Sequence, residues 1–118
     1  MNRVIFILAT SLFGIASAAE FIHPGDFTGS QTEKDAVVAY IVEQTKLQYS
    51  AIGMDDPMTL RMMEKENLVS FQQLTTATNR PLLDSVIKQY CAIGMCDYQT
   101  INMMYNEQNR AASPSLSW

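Results

Sequence analysis

Histidine occurs once in these 118 residues, cysteine twice, and Lys plus Arg only 8 times against 12 Asp plus Glu. Each scarcity excludes something. A Ser–His–Asp or Cys–His catalytic set would have to use His23, which sits in a Gly/Pro segment rather than on a rigid element. A zinc site needs more than Cys91 and Cys96, which are spaced Cys-x4-Cys with no further cysteine and no nearby histidine. With no basic stripe to neutralise phosphates, nucleic acid is not an expected partner. A Gly-rich phosphate loop, a calcium loop and a metal-binding histidine pair are all missing. The expectation is therefore a non-enzymatic protein with no cofactor and no resident metal.

Long apolar runs are lacking as well, apart from one at the start. Met1-Asn2-Arg3 is a short basic segment, Val4 to Ala16 is apolar with three interruptions, and Ala16-Ser17-Ala18 supplies small residues. That three-part layout predicts a signal peptide over 1–18, too short to span a bilayer. The mature chain is expected to begin at Ala19, in the periplasm of a bacterium or secreted. Loss of Arg3 would take the formal charge from −4 to −5. An acidic protein of this kind suits a basic partner, such as a cell-wall-active toxin or an envelope assembly component. Export also makes a Cys91–Cys96 disulfide the default.

What the chain does have is a repeat. From Gln48/Gln89 through Asn67/Gln108, 11 of 20 positions spaced 41 apart are identical. Tyr49-Ser-Ala-Ile-Gly-Met-Asp-Asp in the first copy matches Tyr90-Cys-Ala-Ile-Gly-Met-Cys-Asp in the second. Gly53 and Gly94 suit the left-handed residue just past a helix, and Tyr49 and Tyr90 fall where such a cap packs against the following Met54 and Met95. Asp56 and Asp97 then read as N-caps of the next helix, with Pro57 fitting the first helical position of the first copy. Each copy is predicted to be helix, tight turn, helix.

The remaining elements follow from periodicity and capping. Residues 19–30 read as an irregular arm whose Phe21, Ile22 and Phe27 cover the core. Ser30 to Glu33 is a capping box that opens a first helix running to about Ile52, with Val37, Tyr40, Ile41, Gln44, Leu47, Gln48 and Ala51 inward. A second helix from Pro57 places Leu60, Met63, Asn67, Phe71 and Leu74 on one side, and Asn67 raises the prospect of a kink. Thr75–Asn79 is the connector. A third helix puts Leu83, Val86, Ile87, Tyr90 and Ile93 inward, and a fourth puts Ile101, Met104, Tyr105 and Gln108 inward. The fold expected is all-α: one domain over 31–110, made of hairpins over about 31–75 and 80–110 packed as a small four-helix array, then a flexible tail over 111–118. Such hairpins cannot bury their apolar faces alone, so they pack together, within one chain or between copies as a homo-oligomer.

Methionine is the other excess, with 8 in the chain. Met63 and Met104 fall on inward stripes, whereas Met62 and Met103 point about 100° away from them. Exposed thioethers make adaptable protein-contact surfaces, and Met-based Cu(I) carriage is a weaker alternative. The expected partner-binding set is Met54, Asp55, Met58, Met62, Met95, Tyr98 and Met103. The functional expectation is an exported binding protein of the immunity, inhibitor or chaperone type acting on another protein. The alternative is a component of a secretion, pilus or conjugation apparatus.

Overall fold

The computed structural model describes residues 19–112. The expected signal peptide over 1–18, and residues 113–118 of the expected tail with Trp118, lie outside the described residues. A short 3-10 turn (Pro24–Asp26) precedes four helices: α1 (Gln31–Ser50), α2 (Pro57–Leu74), α3 (Arg80–Cys91) and α4 (Tyr98–Ala111). Among the described residues there are no strands.

Local chemistry accounts for where each helix starts. Ser30 Oγ accepts from the N–H of Glu33 at 3.2 Å while the Glu33 carboxylate takes the Ser30 N–H, the expected capping box. Thr28 adds its hydroxyl and main-chain N–H to the same carboxylate, which holds Glu33 below the usual carboxylate range, the hydroxyl bond contributing most. Asp56, Asn79 and Asp97 accept from the third residue of α2, α3 and α4 at 2.9, 3.1 and 2.9 Å. These side chains satisfy N–H groups that the first turn of a helix leaves without a partner.

Two turns end α1 and α3 in the same way. Gly53 (φ 74°) and Gly94 (φ 82°) adopt the left-handed conformation. The N–H of Met54 donates to the Tyr49 carbonyl at 2.8 Å, and that of Met95 to the Tyr90 carbonyl at 2.9 Å. Gly53 and Gly94 donate to Ser50 and Cys91. This is the paired bonding of a Schellman cap, so the Met–Tyr lock read from the sequence is made by the main chain. α1 stops at Ser50, slightly short of the expected Ile52.

α1 packs on α2, α2 on α4 and α4 on α3, with the 3-10 turn against α2. α1 and α3 make no comparable contact; the arm bridges them. Phe21 lies edge-on to Tyr40 of α1, and His23 Nε2 is 2.7 Å from Asp84 of α3. The arm therefore covers the core, as its aromatic residues suggested. At the centre stands Tyr98, whose ring centroid is 4.8 Å from Phe71, 5.2 Å from Phe21 and 5.6 Å from Tyr40. Val37, Ile41, Leu74, Leu83, Val86, Ile101 and Tyr105 complete the core.

Three details depart from expectation. α2 is continuous through Asn67, because its buried side chain donates to the Met63 carbonyl one turn back instead of interrupting the helix. Leu47, Ala51 and Ile93, expected inward, are exposed, Leu47 at 61% and Ile93 at 64%. Leu47 and Ala51 stand at the C-terminal end of α1 and Ile93 just past the end of α3, and Thr45 is buried on α1 instead.

Candidate partner-binding surface at the two turns

The hairpins are unequal. α1 has 20 residues and α3 has 12, so the second turn meets the first hairpin part-way along its length. Tyr40 Oη donates to the Cys96 carbonyl at 2.7 Å, Gln48 Nε2 to Asp97 Oδ1 at 3.3 Å, and the Gln99 N–H to Asn67 Oδ1 at 3.0 Å. Gln48, one of the two glutamines on the inward stripe of α1, thus holds the second turn. α4 begins at the level of Asn67, whereas α2 begins at Pro57, so about 15 Å of the first hairpin projects past it.

The same turn conformation therefore occurs in two environments. In the second copy Ala92 to Met95 are exposed, but Cys96 is half-buried and Asp97 and Tyr98 are buried. In the first, every residue from Ala51 to Met58 is exposed. Asp56 sits below the usual carboxylate range, chiefly through the Thr59 N–H it accepts, but nothing from α3 or α4 reaches it.

Of the residues expected to contact a partner, Met54, Met58 and Met62 are 48, 78 and 55% exposed, and Met58 and Met62 share one face of α2 one turn apart. Asp55 is exposed and accepts from Ser50 Oγ. Met95 and Met103, 43 and 54% exposed, lie on the second turn and on α4. Tyr98 does not belong with them. It is fully buried, and its hydroxyl both accepts from the Ile22 N–H at 3.0 Å and donates to the Ile22 carbonyl at 2.7 Å. Its position in the turn suggested surface, but the first residue of α4 faces the core because the second turn is docked.

Cys91 and Cys96 form a disulfide, with Cα atoms 4.2 Å apart. The turn residues Tyr49, Gly53, Asp56, Tyr90, Gly94 and Asp97 occupy the capping positions described above.

Two apolar features had no signal in the sequence. Ile52, 63% exposed, joins Tyr49 and Met95 in lining a groove between the turns. It is followed by the glycine that ends α1, and nothing in its spacing marks it as surface or core. A second trough, of about 330 Å³, runs between α1 and α2, lined by Phe27, Val38, Leu68 and Phe71 with Lys34 at its edge. Val38 is exposed there because α1 has neighbours on only part of its circumference.

Among the described residues, no helix is long and apolar enough to cross a membrane, and no three His, Cys, Asp or Glu side chains gather where they could hold a metal ion. Comparison of the chain with family models, with curated proteins and with solved structures gave no match.

Proposed function

We propose that this is an exported, non-enzymatic binding protein that engages another protein through the tip of its first hairpin. One observation supports this above the others: the first turn, with the same capping bonds as the second, is exposed through to the start of α2, where the second turn has Cys96 to Tyr98 covered, and it carries Ile52, Met54 and Met58 with Met62 one turn further along α2. Methionine side chains present polarisable apolar surface that adapts to a partner, and the capped backbone beneath them limits the ordering entropy lost on binding. The disulfide and the absence of a membrane-spanning helix among the described residues suit the periplasm or the cell exterior. The reading is that of an immunity-type inhibitor or a chaperone-type protein, with a basic partner favoured by the formal charge of −4. Affinity purification from the envelope fraction tests it. The wild-type chain should retain one stoichiometric protein, and Met58→Lys/Met62→Lys should release it without loss of helicity. Equal recovery with both chains would remove the tip from the proposal.

A second reading, as an assembly component, is supported by the docking of the second turn. Gln48 and Asn67 receive it on the α1–α2 hairpin. Their counterparts 41 residues on, Gln89 and Gln108, place amides at matching positions of α3 and α4. The first turn of one copy would meet them as the second turn meets Gln48 and Asn67 within the chain. Light scattering decides between the two: concentration-dependent association that Met58→Lys abolishes favours assembly, and a monomer throughout excludes it.

A further inference from the structure

The structure assigns a specific role to the amino group that processing would create: we propose that hydrolysis of the Ala18–Ala19 peptide bond releases an ammonium that Glu43 binds, so that maturation itself fastens the arm to α1. The inference rests on the export reading above and adds a modification site with a built acceptor.

The main-chain nitrogen of Ala19 donates to Glu43 Oε1 at 2.9 Å, across 24 residues of sequence. The contact is not incidental to a loose end. Ala19 is half-buried and packed against the core, Phe21 stacks on Tyr98, and both main-chain polar groups of Ile22 are held by the Tyr98 hydroxyl. Residues 19–22 are therefore positioned by bonds that do not involve anything preceding them. Glu43 is half-buried on α1, and among the described residues it forms no ion pair with any Lys, Arg or His. A partly buried carboxylate without a cation is an unfavourable arrangement unless a charge is supplied.

Hydrolysis supplies it. Water adds to the Ala18 carbonyl carbon, the C–N bond breaks, Ala18 leaves as a carboxylate, and the Ala19 nitrogen takes up a proton. An α-amino group titrates near pH ~7.7–8.0, so at neutral pH it is mostly ammonium. One neutral N–H facing Glu43 becomes a charged group with three donors, and charge-assisted bonds of this kind are roughly twice as strong as neutral ones. The small residues Ala16, Ser17 and Ala18 just before this nitrogen are those a signal peptidase accepts.

The test is a four-way comparison of thermal unfolding at neutral pH. The chain beginning at a free Ala19 and a chain carrying Gly-Ser ahead of Ala19 are each made with Glu43 and with Glu43→Gln. Glu43→Gln should lower the midpoint by about 4–8 °C in the chain with the free amino group and by much less in the extended chain. Equal shifts in the two backgrounds would overturn the inference. Intact mass of the exported protein gives an independent reading, with Ala19 expected as its first residue. A different first residue, or an exported chain that is never cleaved, overturns this inference alone, whereas a chain retained inside the cell defeats the export reading too. Recovery of a partner through the hairpin tip is unaffected by where, or whether, the exported chain is cleaved.

Discussion

The Ser50 hydroxyl donates to the Asp55 carboxylate at 3.2 Å, and these are the two positions that Cys91 and Cys96 occupy in the other turn. One turn is closed by a hydrogen bond and its counterpart by a covalent bond, over the same main-chain conformation. A second disulfide should therefore form in Ser50→Cys/Asp55→Cys without moving the backbone. Its expected gain is about 2 kcal/mol, the chain-entropy value for so small a loop. Urea unfolding under oxidising and reducing conditions checks it, alongside an equal loss when Cys91–Cys96 is replaced by serines. A variant that stays reduced in air would show that the turns are not interchangeable.

Asn67 joins α2 to the first turn of α4 by accepting the Gln99 N–H, while its own amide donates to Met63. Because the residue is buried, Asn67→Ala strands the Gln99 donor as well as losing a bond, and should destabilise by about 1–3 kcal/mol. Asn67→Asp keeps the acceptor but buries a carboxylate against the Met63 carbonyl, so it should lose at least as much at neutral pH. Chemical denaturation of the three chains orders them.

Tyr98→Phe removes the hydroxyl that holds both main-chain groups of Ile22. The ring remains to fill the core, so helical content should persist while the arm loosens, with an overall loss of about 1–2 kcal/mol. Faster hydrogen exchange at Ile22, and proteolytic nicking within 19–30 ahead of any cut in the helices, are the expected signs.

Gly53 and Gly94 sit at positive φ with open space where a side chain would project, so an added methyl meets no neighbour and only backbone strain is introduced. Alanine at either position should destabilise by roughly 1–2 kcal/mol, and asparagine by less. Similar losses at the two sites are expected because both glycines are exposed and both turns make the same capping bonds, which thermal melts of the four variants would establish.

At alkaline pH the tyrosines limit stability. Burial, aided by the Asp97 and Glu43 carboxylates, pushes the Tyr40 hydroxyl up to about 12, and burial pushes Tyr98 higher still. In the unfolded chain a tyrosine ionises near pH ~10, so above that value the unfolded state has lost protons that the folded state retains. Stability intact below about pH 10 should fall as the pH rises toward 12. Tyr40→Phe should flatten part of that fall, and at neutral pH it should lose about 1 kcal/mol with the bond to the Cys96 carbonyl. Urea midpoints taken across this range measure both effects.

Much of this protein was decided locally. Ser30 with Glu33, Asp56 with Pro57, Asn79 and Asp97 mark the helix starts because each side chain satisfies donors within three residues of itself. Gly53 and Gly94 mark the stops because a left-handed residue is an intrinsic demand of the chain. Such features depend on neighbours in sequence, and so the four helices, both turns and the pairing of Cys91 with Cys96 were legible before any packing was known. What the tertiary structure alone decided is which copy of a shared sequence is buried. Tyr98 lies in the core and its counterpart Pro57 in solvent because α3 is shorter than α1, which brings the start of α4 against Tyr40, Gln48 and Asn67 and leaves the start of α2 uncovered. Periodicity within a helix cannot reveal that, since exposure depends on where a neighbouring helix stops; Leu47 faced solvent although its spacing placed it inward. The placement of Ala19 beside Glu43 has the same origin, a contact between segments 24 residues apart that only the folded arm creates.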